Sequence, residues 1–201
     1  TPNQITVIGF LSFILAVIFL FKYFGSSMVV VPYIFLFINY VLDSVDGQVA
    51  RLRGMSSKLG EWLDQSLDGL RIILLNVAFI ILLLPYLPNQ YRILYTFLVF
   101  IPLIFQSSHY LIASLKSHIL KMQIGHMLDE SRDSIKTKIV RWCSAPADFG
   151  IFIMITLIGF NPTWFLWIYI LYGFYYFFVL LVTSYMTIKA VKNEERENFE
   201  K

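Results

Sequence analysis

ITVIGFLSFILAVIFLFKYF, residues Ile5–Phe24, carries one charged side chain, Lys22, in 20 positions. As a helix rising about 1.5 Å per residue, it reaches across the roughly 30 Å hydrocarbon core of a bilayer. Lipid supplies no partner for backbone N–H and C=O groups, so such a segment must satisfy them within itself, as a helix does. Comparable runs follow at Met28–Arg51, Leu59–Tyr86, Tyr91–Lys121, Ile139–Phe160 and Trp164–Val191. The sequence therefore predicts an all-α integral membrane protein with six transmembrane helices. Residues 1–191 form one membrane domain, and residues 192–201 a charged cytoplasmic tail.

Composition agrees. Of 201 residues, 58% are apolar, 17% aromatic and 14% charged, against about 25% charged in an ordinary soluble domain. Mean hydropathy is +0.69. Secreted, fibrous and disordered classes are excluded, and the single Cys143 permits neither an intrachain disulfide nor a multi-cysteine metal site. The net charge of +3 (16 Lys and Arg, 13 Asp and Glu) lacks the concentrated basic face that phosphate backbones require, so no nucleic-acid partner is expected. The first run has no basic leader or small-residue cleavage site and does not read as a signal peptide. The chain opens at Thr1 rather than Met, which leaves room for an upstream segment.

Three breaks between runs are short and turn-like: Gly25-Ser26-Ser27, Leu87-Pro88-Asn89-Gln90 and Gly159-Phe160-Asn161-Pro162. They suit tight connections between antiparallel neighbours. The other breaks hold 13 of the 16 Lys and Arg, including Arg51, Arg53, Lys58, Lys116, Lys138, Arg141 and Lys192, whereas Lys22 and Arg92 fall at the opposite end. Because the cytoplasmic side keeps basic residues, both termini are expected there.

Acids inside membrane spans are costly and usually functional. Asp43, Asp46, Glu61, Asp64 and Asp68 gather at the end of the second run and the start of the third. On a helix, Asp43, Asp46, Gly47 and Ala50 share one face, as do Gly60, Asp64 and Asp68, so two antiparallel helices can direct four Asp at one spot. Like charges held together at a membrane interface need cations or protons. Carboxylates without clustered His or Cys suit Mg2+, Mn2+ or Ca2+ rather than zinc or copper. An EF-hand fits poorly, since Gly54 stands where its twelfth-position Glu belongs, and neither a P-loop nor a dinucleotide glycine fingerprint occurs.

Gly47, Ala50 and Gly60 leave backbone open on the acidic face, which admits a flat or bulky ligand group. Close helix packing is the other reading, equal in weight for Gly60 and weaker for Gly47, which adjoins Asp46. Arg51 could hold a phosphate, while Arg53 is accounted for by the basic-side bias.

Asp43-Ser44-Val45-Asp46-Gly47-Gln48-Val49-Ala50-Arg51, then Gly60, Asp64 and Asp68 at their spacings, resemble the signature of the CDP-alcohol phosphotransferase family at all eight of its fixed positions. The opening Thr1-Pro2-Asn3-Gln4-Ile5-Thr6 is also similar to the start of that family's first membrane helix. The resemblance implies a membrane enzyme of phospholipid synthesis. A CDP-linked donor, with CDP-diacylglycerol the commoner case, gives its substituted phosphoryl group to an alcohol hydroxyl, and CMP leaves. It implies Asp43, Asp46 and Asp64 as ligands of Mg2+ or Mn2+, two ions in all. Asp68 would be the general base and a ligand of the second metal. It further implies Asn3, Gly47, Ala50, Arg51 and Gly60 around the CDP moiety, a homodimer, and a cell-membrane location with the active site facing the cytoplasm.

The acceptor is less legible. Lys138 and Arg141, with their neighbours Lys116, Lys121 and Lys136, lie on the acid-bearing side and would suit a phosphorylated polyol. The basic-side bias places them there in any case. Asp148, two residues after Pro146, has no neutralising neighbour within a turn; pairing with another helix and acceptor binding both explain it. His109 and His118 do not share a face and read as structural, and the aromatic-rich last run reads as packing and interfacial belt. A transporter would carry polar residues through the midplane rather than at one end. Transfer of a head group from a CDP-polyol or CDP-amino alcohol is the alternative within the enzyme class.

Overall fold

The computed structural model describes residues 1–55, 57–119 and 149–199. It contains α1 (Pro2–Tyr23), α2 (Val30–Leu52), α3 (Lys58–Leu83), α4 (Arg92–Ile119), α5 (Phe149–Thr156) and α6 (Pro162–Phe199), with short 3-10 turns between them. No strand occurs among the described residues. Among the described residues, five helices are long and apolar enough to cross a membrane, and Phe149–Phe160 is a shorter apolar helix. The first ten residues of the expected fifth span, 139–148, lie outside the described residues. α6 continues through Phe199, so most of the expected charged tail prolongs the last helix.

Local chemistry explains the boundaries. Pro2 and Pro162 occupy first-turn positions, where a missing N–H costs nothing. Asn161 caps α6 by accepting a hydrogen bond from Trp164 N at 3.3 Å. α2 ends at Gly54, whose φ of +60° suits glycine, and Met55 N returns to Ala50 O at 2.9 Å in the manner of a Schellman cap. α3 then begins behind Ser57, whose Oγ accepts from Gly60 N at 3.0 Å.

The turns define two ends. Gly25 N donates to Gly159 O at 2.8 Å, and a Cβ on Gly25 would lie 3.2 Å from the Tyr86 hydroxyl. The 24–29, 84–91 and 157–162 connections therefore meet at one end. The 52–58 turn lies at the other, beside the start of α1, because a Cβ on Gly60 would lie 3.3 Å from Asn3 Oδ1.

α1 runs along α2 and touches α3, α4 runs along α6 and packs on α3, and α5 rests against α2. The centre is aromatic: Phe79 meets Phe165 at 4.8 Å, Tyr169 at 5.7 Å and Phe152 at 5.8 Å between ring centroids. Asn76, Gln106 and Tyr169 are buried in the same region and satisfy one another. Asn76 Nδ2 donates to Gln106 Oε1 at 2.7 Å, and Tyr169 Oη donates to Asn76 Oδ1 at 2.7 Å. Such bonds tie α3, α4 and α6 together where lipid offers no alternative partner. Outward faces are apolar, as along Leu11, Leu15 and Ile18 of α1, and lipid is the solvent that accepts them.

Candidate active site

The 52–58 turn sets the end of α2 beside the start of α3, and three carboxylates converge between them. One oxygen from each of Asp43, Asp64 and Asp68 lies within 4.8 Å of the others. Asp64 and Asp68, four residues apart, diverge by about 40° around the helix, whereas Asp43 and Asp46 diverge by about 60°. That rotation turns Asp46 toward α1. There its Oδ2 accepts a hydrogen bond from Thr6 Oγ1 at 2.5 Å, with both residues buried. Of the four Asp expected at one spot, three meet there and Asp46 lies outside that group.

Arg71, one turn deeper on α3, completes the cluster. Its Nη1 donates to Asp43 Oδ1 and, at 2.5 Å, to Asp68 Oδ1. The side chain is 2% exposed. Two signals in the sequence mark Arg71: it is the one Lys or Arg within an expected span's interior, and it sits three residues after Asp68, on the same face; the partner across the helices, Asp43, is not visible there. Thr6, quoted only as part of the opening resemblance, likewise gained its role from a contact between helices.

Beside the carboxylates opens a cavity of about 520 Å³. Asn3 and Thr6 of α1, Asp46, Gly47, Ala50 and Arg51 of α2, and Gly60, Glu61 and Asp64 of α3 line it. All five residues expected around the CDP moiety thus face one space, and Asp64 belongs both to its wall and to the carboxylate group. Ser57 and Lys58, like Glu61, line the cavity as well. The two signature glycines differ. A Cβ on Gly47 would meet only Arg51 Nη1, at 3.7 Å, whereas one on Gly60 would press on Ser57 Oγ at 3.1 Å and Asn3 Oδ1 at 3.3 Å.

An all-oxygen donor set of three carboxylates suits a hard divalent cation. Ligand oxygens about 2.1 Å from Mg2+ stand up to about 4.2 Å apart, so small carboxylate rotations would close the observed spacing. Lys138, Arg141 and Asp148, the expected acceptor contacts, lie outside the described residues. On α6, Tyr169, Tyr172 and Tyr176 are buried in the packing while Trp164 and Trp167 are exposed. The His109 ring rests against Tyr176, centroids 5.7 Å apart.

Apolar helices of membrane-crossing length, carrying an acid-lined cavity at one end of the bundle, describe an integral membrane protein. Residues 1–174 match the CDP-alcohol phosphatidyltransferase family, and the chain belongs to it. Among curated proteins it is similar to the bifunctional IPC transferase and DIPP synthase of Aquifex aeolicus, 43% identical over 68 residues. It is also similar to the archaetidylinositol phosphate synthase of Pyrococcus horikoshii, 39% identical over 70 residues, and to cholinephosphotransferase 1 of Xenopus laevis, 34% identical over 84 residues. These stretches cover 34%, 35% and 38% of this chain and 15%, 35% and 21% of the respective relatives. No solved structure matches the chain.

Proposed function

We propose that the chain transfers a substituted phosphoryl group, phosphatidyl in the main reading, from a CDP-linked donor to an alcohol hydroxyl with release of CMP, in phospholipid synthesis. The carrying observation is the junction of the three-carboxylate group with a cavity walled by Asn3, Gly47, Ala50, Arg51 and Gly60. The hydroxyl oxygen bonds to the phosphorus bearing the lipid, the bond from that phosphorus to the CMP oxygen breaks, and the hydroxyl proton passes to Asp68. Asp43, Asp46, Asp64 and Asp68 would hold Mg2+ or Mn2+, two ions, which when bound offset the charge of the pyrophosphate and of the departing CMP. Arg51 supplies a fixed cation to the donor phosphates, and the small residues admit the nucleotide.

The surrounding arrangement follows from the same reading. The cavity lies at the end where Arg51, Arg53 and Lys58 collect, which supports a cytoplasmic site, six spans and cytoplasmic termini. Family resemblance extends the reading to a homodimer. Lys138, Arg141 and Asp148 would bind the acceptor, a small alcohol that carries phosphate, and similarity to an archaetidylinositol phosphate synthase supports that choice. Similarity to a cholinephosphotransferase favours head-group transfer from a CDP-amino alcohol as the second reading.

Purified protein, supplied with CDP-diacylglycerol and a panel of acceptors, should release CMP only with Mg2+ or Mn2+ and a suitable alcohol. Asp68→Asn should lower turnover at least about 100-fold, in keeping with the usual contribution of a positioned base, while still binding CMP. Turnover at the level of the unmodified protein would remove Asp68 from that role.

A further inference from the structure

Arg71 is buried in the third span, where a charge is costly unless paired. It pairs through a single nitrogen: Nη1 serves both Asp43 and Asp68. Nε and Nη2, the two parallel donors of the guanidinium fork, are buried without a partner among the described residues. An arginine placed to stabilise helix packing would have these donors satisfied, because buried unpaired N–H groups are destabilising. Among the described residues, the hydrogen bonds of the Arg71 guanidinium run to these two carboxylates alone.

The pairing also leaves capacity. A carboxylate has two oxygens, and Arg71 engages one oxygen of Asp43 and one of Asp68, so the second oxygen of each is open to a cation. Asp64 lies within the same 4.8 Å group but has no bond to Arg71. We propose that Arg71 is a positioning residue for the divalent-cation site: it locks Asp43 and Asp68 in the orientation that brings one carboxylate oxygen of each within 4.8 Å of one from Asp64. The inference rests on the metal-site reading above and adds to it a residue outside the family signature.

The direction of the effect separates this role from simple charge balance. Deleting a positive charge beside the three clustered carboxylates would, by Coulomb attraction alone, tighten cation binding. Loss of an outer positioning group instead weakens it, typically about 10–100-fold. Mn2+ titration of the full-length protein in detergent, read by the electron paramagnetic resonance signal of free Mn2+, measures the sign. Arg71→Met should bind Mn2+ about 10–100-fold more weakly, and Arg71→Lys, which keeps donors and charge, should recover most of the loss. If Arg71→Met does not fold, Arg71→Gln is judged by the same criterion. Mn2+ affinity equal to or above that of the unmodified protein, in either neutral variant, overturns the proposal. Asp64→Asn distinguishes the two layers: its failure to lose Mn2+ refutes the metal site itself, whereas loss in Asp64→Asn with retention in Arg71→Met refutes Arg71 alone.

Discussion

At Gly47 and Gly60 one residue type serves two purposes. Gly60 is pressed by Ser57 and Asn3, so its missing side chain is partly a packing requirement. Gly47 faces the cavity with only ordinary contact to Arg51, so the fold itself has room for a methyl group there. Gly47→Ala should therefore melt at the same temperature or higher, since alanine in a helix is favoured by about 0.5–1 kcal/mol. It should also raise the KM for the CDP-linked donor several-fold. A lowered melting temperature with unchanged KM would mean that Gly47 is a packing residue. Gly47, Ala50, Arg51 and Gly60 were legible as cavity walls because each lies within a signature whose spacing already fixes a helix face. Thr6 and Arg71 were not, because their roles depend on which helices adjoin: α1 brings Thr6 to Asp46, and α2 brings Asp43 to Arg71. Helical periodicity says which side chains share a face but not what stands opposite.

Among the helices, α4 and α6 approach closely at Gly173 and Pro102. A Cβ on Gly173 would stand 2.8 Å from Pro102 Cδ, Cγ and N, closer than carbon atoms approach without displacement. Small residues let membrane helices come this near, and van der Waals packing then holds them. Gly173→Ala should force α6 off α4 at Pro102 and strain the neighbouring bond from Gln106 Nε2 to Tyr176 Oη, 3.3 Å. The expected cost is about 1–3 kcal/mol, visible as a lower melting temperature in detergent; an unchanged melt would show that the crossing is slack. Helix positions along the chain were legible, since α1 to α4 depart from the apolar runs by a few residues at most. The start of α2 was less so, because Ser27–Val29 forms a separate 3-10 turn that hydropathy does not distinguish from a helix. Nor did hydropathy reveal the Asn76–Gln106–Tyr169 network, since isolated amides within apolar runs barely alter a window average.

Across the whole molecule, the two ends differ in charge and in chemistry. The end holding the 24–29, 84–91 and 157–162 connections has Lys22 and Arg92 nearby, whereas the opposite end carries the cavity and the turn with Arg53 and Lys58. The basic-side bias assigns the second end to the cytoplasm, and the packing assigns each connection to an end independently of charge. Single cysteines introduced into a Cys143→Ser background and probed with a membrane-impermeant maleimide test both assignments. Met55 and Phe160 are suitable positions because both are exposed and neither Gly54, with its positive φ, nor the Asn161 cap is disturbed. Gln90, in the connection before α4, supplies a third. In intact cells Phe160→Cys and Gln90→Cys should react, while Met55→Cys should react only after the membrane is opened. If Gln90→Cys sided with Met55→Cys, α3 would not cross the bilayer and the bundle would be wrong. If all three kept the predicted grouping but with inside and outside exchanged, the bundle would stand and the charge-based orientation would fail, placing the acid-lined cavity on the far side from the cell's cytidine nucleotides.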